Sequence, residues 1–288
     1  MAAKNIVIAP CGNRAYLFRE RWLQYRQEKE FDVCLLFYHD QINNPSLYEG
    51  IDFFYQLKDF KYHMIHNLLT NIHPEWLDQY DYFYFLDDDI EMDTHEINRM
   101  FLLSRAFNGD ICQASLTQDS FCSWPMFKQQ PNSFCRFVGQ IEVMAPLFHK
   151  DALKKCLPSF VGNKSSWGVD SVWSKLLDYP KDKLIVFDTV IMRHTQPVGG
   201  GELYQKIGIN PHDDWNAIVN SFGAKKQNYQ EYGRLQLVNE QSNRLKFLYY
   251  KTKEFFAKKK QAWNDYDLGS RIASKKSKLL SKRSALNS

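Results

Sequence analysis

The chain has 288 residues, 44% of them apolar and 24% charged, with 13 Gly and 10 Pro. This composition suits a globular protein and excludes collagen-like, low-complexity and wholly disordered chains. The formal net charge of +4 hides an asymmetry: residues 241–288 hold 13 Lys and Arg against 3 Asp and Glu, leaving 24 against 30 for residues 1–240.

A mildly acidic body over 1–240 and a basic extension over 241–288 predict two regions with separate tasks. No apolar run approaches the roughly 18 residues that a membrane-spanning helix needs. Met1–Lys4 leads directly into the apolar run at Asn5, which is too short a prelude for a secretory signal. The six cysteines (Cys11, Cys34, Cys112, Cys122, Cys135, Cys156) form no C-x-x-C pair and read as reduced thiols. Together these features predict a cytoplasmic protein.

Strands and helices alternate along the body. Asn5–Ala9 reads as a strand, 14–27 as a helix and 31–37 as a second strand. Lys61–Thr70 carries Met64, Ile65, Leu68 and Leu69 on one helical face, and 82–86 is a short, fully apolar strand. Thr94 is the expected N-cap of a helix closed by Asn108-Gly109. Residues 111–114 read as a strand, and 115–134 as a long polar, aromatic loop of the kind that carries function. Residues 137–145 read as a strand, 150–157 and 168–177 as helices, and 184–187 as a last strand ending in Asp188. The alternation predicts an α/β domain whose ligand lies beyond the carboxyl ends of its strands.

Three segments carry candidate chemistry. Asp87-Asp88-Asp89 follows the apolar strand directly. Three adjacent carboxylates repel unless a cation or strong donors compensate them. In extended chain Asp87 and Asp89 share a face while Asp88 points away, and two such carboxylates suit a hard divalent cation that also binds phosphate oxygens. Asp170 stands in the first turn of its helix within Trp167-Gly168-Val169-Asp170; it reads either as a helix-dipole acid or as a base. Met192-Arg193-His194-Thr195 puts a His at a strand end before Gly199-Gly200-Gly201, where it is either structural or a neutral nitrogen donor to a metal. The Gly run is neither a P-loop nor a Rossmann fingerprint.

The order of these segments resembles the nucleotide-sugar glycosyltransferases of the A-type fold (GT-A). Trp167-Gly168-Val169-Asp170 and Met192-Arg193-His194-Thr195 resemble the β-1,4-galactosyltransferase arrangement, in which a Trp-Gly segment precedes the acidic base and Ile-Arg-His-Ser supplies a metal-binding His. Over about residues 30–201 the chain also resembles the domain-of-unknown-function-707 family of plants and bacteria. The matching segments are Phe31–Asp40, Lys61–Asp89, Val138–Pro146, Trp167–Asp170 and His194–Gly201. The chain has only Asp170 where the galactosyltransferases carry a run of acids. It has Asp-Asp-Asp where the 707-type family has Asp-Glu-Asp, which keeps both outer carboxylates.

The resemblance implies a single GT-A-like α/β domain over 1–240, with a mixed, mostly parallel sheet and a basic helical C-terminal extension. It implies an inverting, metal-dependent sugar transfer from a nucleotide-sugar donor to a glycan or lipid-linked acceptor in surface polysaccharide assembly. Asp87, Asp89 and His194 would hold Mn²⁺ or Mg²⁺, and Asp170 would act as base. Cys11, Gly12, Asn13, Lys61, Asp88 and Arg193 would meet the donor. Trp167 would meet the acceptor, and Trp173 is a second stacking candidate whose helical spacing with Val169 and Leu176 favours the core. Glu142, an acid in an apolar segment, reads equally as a salt-bridged core group and as an acceptor contact. A metal-dependent phosphohydrolase or nucleotidyltransferase would use similar acids, and a non-catalytic sugar-binding or nucleic-acid-binding protein is a further alternative. No helix-turn-helix, zinc module or aromatic RNA-binding signature supports a specific nucleic-acid partner.

In the extension, Leu245, Leu248, Tyr249, Phe256 and Trp263 share one helical face, with most of the lysines outside it. This stripe either packs on the body or lies on an anionic membrane surface, which would make the enzyme peripheral on the inner face of the membrane.

Overall fold

The computed structural model describes residues 4–198, 210–237 and 251–253. The chain divides into two units, Met1–Gln236 and Leu237–Ser288. In the second, residues 251–253 are helical. The rest of the expected amphipathic extension, and the Gly199–Gly201 run, lie outside the described residues.

The first unit is built on a ten-stranded sheet: β1 (Asn5–Cys11), β2 (Asp32–Phe37), β3 (Phe53–Gln56), β4 (Tyr82–Phe85), β5 (Ile90–Glu91), β6 (Ile111–Leu116), β7 (Ser133–Val138), β8 (Leu147–His149), β9 (Leu184–His194) and β10 (Glu231–Gln236). The strand order is β10-β7-β9-β6-β8-β4-β1-β2-β3, with β5 pairing off this path on β9. β1 to β4 run parallel, β8 reverses, β6 and β9 return, β7 reverses and β10 returns. Most strands on the path therefore share one direction. The helices are α1 (Lys61–Asn67), α2 (Trp76–Gln79), α3 (Thr94–Ala106), α4 (Lys150–Cys156), α5 (Val169–Leu176) and α6 (Pro211–Phe222).

The central strands β1, β4 and β6 are buried along their whole length; β4 is a continuous aromatic run, and β6 buries the polar Gln113 and Ser115 as well. Trp173 is buried against Tyr62, Phe148 and Phe160, which places it in the core. All six cysteines carry free thiols, five of them buried.

Several boundaries differ from the sequence expectation. The 14–27 segment is not one helix: it forms a π-helical turn, Phe18–Trp22, and a 3₁₀ turn, Arg26–Glu28. Thr94 Oγ1 donates to the carbonyl of Trp22 and accepts from the amide of Tyr25, so tertiary bonds take the groups a continuing helix would use. Thr94 is thereby occupied, and Asp93 caps α3 by accepting from the Glu96 amide at 2.8 Å. Residues 139–146 leave the sheet after β7. There the Gly139 amide bonds Gln230, the Glu142 amide bonds Gln113 Oε1, and the Val143 and Met144 carbonyls accept from Lys61. Glu142 therefore sits in a connecting segment and not on a strand.

β9 is the largest departure. It runs on past Asp188 to His194, and β10 follows it. Its pairing with β6 joins Ala114 to Phe187 and then Ser115 to Ile191. Residues 188–190 thus bulge out of the ladder, and the strand resumes beyond them to reach the site.

Candidate functional site

β4 delivers Leu86 and the three aspartates to the carboxyl end of the parallel strands. Asp88 and Asp89 form a turn, with the Ile90 amide bonding the Asp87 carbonyl at 3.1 Å. The expected extended geometry is thus absent, yet the three side chains still separate. Asp87 pairs with Lys61 at 2.6 Å, Asp89 with His194 Nε2 at 3.1 Å, and Asp88 accepts from the backbone at Gly12.

His194 is brought there by the short ladder between β5 and β9, in which Ile90 faces His194 and Glu91 faces Arg193. The Thr195 amide and hydroxyl both bond the Asp89 carbonyl, at 3.1 and 2.8 Å. On its far side the imidazole Nδ1 bonds the Phe121 carbonyl at 2.7 Å, which fixes Nδ1 as the donor and turns Nε2 toward Asp89. Withdrawal from water lowers the His194 pKa, but its bonds to Asp89 and Phe121 outweigh this and bring it to about 9.

Asp170 reaches the same cavity from the first turn of α5. Gly168, which precedes the helix, has φ +85°, and a Cβ there would stand 2.1 Å from Trp215 Cδ1, so both backbone and packing require glycine. The Ser171 amide donates to Asp170 Oδ1 at 2.9 Å, and Tyr229 Oη approaches Oδ2 at 3.5 Å. Burial raises the carboxyl to about 6, against hydrogen bonds from Gln140, Ser171 and Tyr229. Glu142 is raised further, to about 8, first by burial and then by the charge of Asp170; its Oε2 is buried without a partner among the described residues. Asp88 rises to about 7 through desolvation and repulsion by Asp89 and Asp87.

These groups line one cavity of about 260 Å³. It contains Lys61, Asp87, Asp88, Asp89, Glu142, Trp167, Asp170 and His194 from the sequence expectation. It adds Trp124, Trp215 and Tyr229, an aromatic wall with Trp124 and Tyr229 rings 4.3 Å apart and Trp215 about 6 Å from Trp124 and Trp167. Trp124 lies in the loop flagged as polar and aromatic. For Trp215 and Tyr229 no spacing or motif in the sequence gave a signal.

Four residues expected at the donor are otherwise engaged or lie outside this cavity wall. Arg193, one residue from His194, projects to the opposite face, where it is exposed and pairs with Asp119 at 2.9 Å and Glu91 at 3.4 Å. Asn13 braces a loop through Gln41 and Asn43 and does not line the cavity. Cys11 is buried in the sheet, its thiol pushed well up by burial, and it too is outside the cavity wall. Lys61 lines the cavity, but its ammonium already serves Asp87 and the carbonyls of Val143 and Met144, at 2.8 and 3.0 Å. It is Asp87's counter-charge, with no donor left for a ligand. Gly12 stays next to the site through Asp88.

Among the described residues no three His, Cys, Asp or Glu side chains are grouped so as to hold a metal ion. Asp89 and His194 nevertheless form a two-residue donor set of the right chemistry, and Asp89 Oδ1 is buried with no hydrogen-bond partner among the described residues. Such a set fits a hard divalent cation completed by water and phosphate oxygens. Asp87, engaged by Lys61, is the weaker of the two expected carboxylate ligands.

No protein-family model and no curated protein matches the chain, so the likeness to the 707-type family stands on the quoted segments alone. Among solved structures the chain is similar to residues 1–349 of S. aureus TarS in complex with UDP-GlcNAc, at 14% identity, 76% coverage of this chain, 65% of that one and a TM-score of 0.49. A second S. aureus TarS structure matches at 12% identity over 76% of this chain and 39% of its own, with a TM-score of 0.49. A Desulfovibrio desulfuricans G20 protein described as a nucleotide-diphospho-sugar transferase matches at 10% identity over 76% and 98%, with a TM-score of 0.43. The chain spans less than two thirds of the length of these two TarS chains. No described helix is long and apolar enough to cross a membrane.

Proposed function

We infer that the protein is a glycosyltransferase of GT-A type, moving a sugar from a nucleoside-diphosphate sugar to an acceptor hydroxyl with inversion. One observation carries this reading. The Asp-turn, Asp170 and His194, spread along the chain from residue 87 to residue 194, line a single cavity at the carboxyl ends of the parallel strands.

The cavity has two unlike ends. At one, Asp89 and His194 would hold Mn²⁺ or Mg²⁺ together with the donor diphosphate; when bound, the cation supplies neutralisation of the charge that builds on the departing phosphate. Asp88, hydrogen-bonded to the Gly12 backbone, borders the place where the donor's ribose would lie. At the other end Asp170 takes the proton of the acceptor hydroxyl while that oxygen forms its bond to the anomeric carbon and the bond to the diphosphate oxygen breaks. A carboxyl with a pKa of about 6 is ionised at neutral pH and basic enough for this task. Glu142 Oε2, buried with no partner among the described residues, would meet a second hydroxyl of the acceptor, and the faces of Trp124 and Trp167 would support its apolar side.

A phosphohydrolase has less support, because the aromatic wall of Trp124, Trp167 and Trp215 suits the faces of a sugar acceptor, whereas hydrolysis needs only water beside the base. The charge of the 241–288 extension would draw the enzyme to anionic lipid, which co-sedimentation of the full chain with anionic and neutral vesicles reads out. The main test is a panel of nucleotide sugars with Mn²⁺ read as thermal shift, since a bound donor stabilises the folded state by mass action. A stabilising donor followed by transfer to a sugar acceptor supports the reading. A flat response across the panel, with hydrolysis of simple phosphate esters, would replace it.

A further inference from the structure

Outside the cavity, Arg136 on β7 and Asp188 in the β9 bulge form a fully buried fork, with side chains 1% and 0% exposed. Arg136 Nε and Nη2 donate to the two carboxylate oxygens at 2.8 and 2.9 Å. A buried pair of this kind is a poor source of stability, because desolvating both charges offsets most of their attraction. What it bonds besides itself is therefore informative.

Among the described residues, the other hydrogen bonds of the two side chains all go to one loop, residues 117–132. Arg136 donates to the carbonyls of Met126 and, at 3.2 Å, Lys128. Asp188 Oδ1 accepts from the Gln130 amide at 3.0 Å, and its carbonyl accepts from Gln129 Nε2 at 2.9 Å. The same loop supplies Trp124 to the cavity wall, the Phe121 carbonyl to His194 Nδ1 and Ser120 Oγ to the His194 amide. The fork thus anchors the base of the loop while the loop's other end touches the site at two places.

We propose that Arg136 and Asp188 are positioning residues: their fork sets the 117–132 loop so that Phe121 orients His194 and Trp124 faces the acceptor. The part concerning the acceptor rests on the glycosyltransferase reading; the part concerning His194 does not. A core brace alone would hold β7 against β9 and leave the loop's far end indifferent.

The test uses the full chain with Arg136→Met/Asp188→Leu, a replacement of similar volume without charge, and Arg136→Lys, which keeps the charge but loses the planar fork. Amide hydrogen exchange and the imidazole NH spectrum of His194 are read without any substrate. In the double variant, exchange at Phe121, Gln129 and Gln130 should quicken by about 10-fold or more while the β6–β9 ladder keeps its protection. The His194 Nδ1–H signal should broaden or vanish, and Arg136→Lys should fall between. With a working donor and acceptor, acceptor KM should rise by about 10-fold and donor KM stay within about 3-fold.

Wild-type loop protection and a wild-type His194 signal in a folded double variant would overturn the proposal. If the double variant does not fold, Gln129→Ala, which cuts one tie and leaves the fork intact, decides: unchanged exchange at Phe121 and Gln130 overturns it, and selective quickening there supports it. Loop and His194 changes without any sugar transfer by the wild type would retire the glycosyltransferase reading and leave the positioning of His194 standing.

Discussion

The two ends of the cavity solve the problem of buried charge in opposite ways. Around the Asp-turn, acids are compensated: Asp87 by Lys61, Asp89 by His194, Asp88 by the Gly12 backbone. Around α5, neither Asp170 nor Glu142 forms an ion pair among the described residues: Asp170 has only hydrogen-bond donors, and Glu142 feels the charges of His194 and Lys61 at a distance. The compensated end is organised before any ligand arrives. Burial raises carboxyls at both ends, Asp88 to about 7, Asp170 to about 6 and Glu142 to about 8, but only at the Asp-turn do ion pairs, those of Asp87 and Asp89, offset part of the cost in stability.

The sharpest way to break this contrast is to neutralise Asp170, the proposed base. Asp170→Asn should lower turnover by roughly 10²–10⁴ while nucleoside-diphosphate binding by calorimetry stays within about 3-fold. Near-normal turnover would reduce Asp170 to an acid favoured by the helix dipole. At the compensated end the largest effect is structural. Lys61→Met strands Asp87, whose side chain is 32% exposed, and two carbonyls, and should destabilise the fold by about 1–3 kcal/mol in denaturant titration.

Within the turn, Asp89→Asn should abolish Mn²⁺-dependent binding of a nucleoside diphosphate, whereas Asp88→Asn should bind with smaller losses; equal losses in calorimetry would refute the separation of their side chains. The smallest effect concerns pH. Because the folded carboxyl of Asp170, at about 6, lies above its unfolded value, the native state holds more protons between the two, and stability falls as pH rises from about 4 to about 6. Asp170→Asn should remove that decline and gain about 1–3 kcal/mol at pH 7.5, with no gain below pH 4. Glu142 and Tyr229 face the same carboxyl, so Glu142→Gln should further flatten the profile.

The cavity's acids and histidine were legible because each sits where a regular element begins or ends: Asp87–Asp89 after a buried strand, Asp170 at a helix start, His194 at a strand end. Alternation within β9 would have shown that Arg193 and His194 cannot share a site, had the strand's extent been readable. It was not, because the bulge at 188–190 interrupts the apolar period and Asp188 looks like a terminus. Trp215 and Tyr229 were hidden for another reason. Their roles depend on contacts across 44 residues or more, such as Trp215 Nε1 on Ser171 Oγ at 3.1 Å and Tyr229 on Asp170. Local pattern carries no trace of these. The 14–27 helix failed for a similar cause, since Thr94 claims its backbone groups from 70 residues away.

The bulge also acts as a phase setter. Upstream of it β9 is locked to β6 and β7; downstream, its side chains alternate toward and away from the Asp-turn. Three residues lie between the two stretches. Removing one of them, at 188–190, would turn the strand's faces over and offer Arg193 to Asp89 in place of His194, while every residue of the site was still present in the chain.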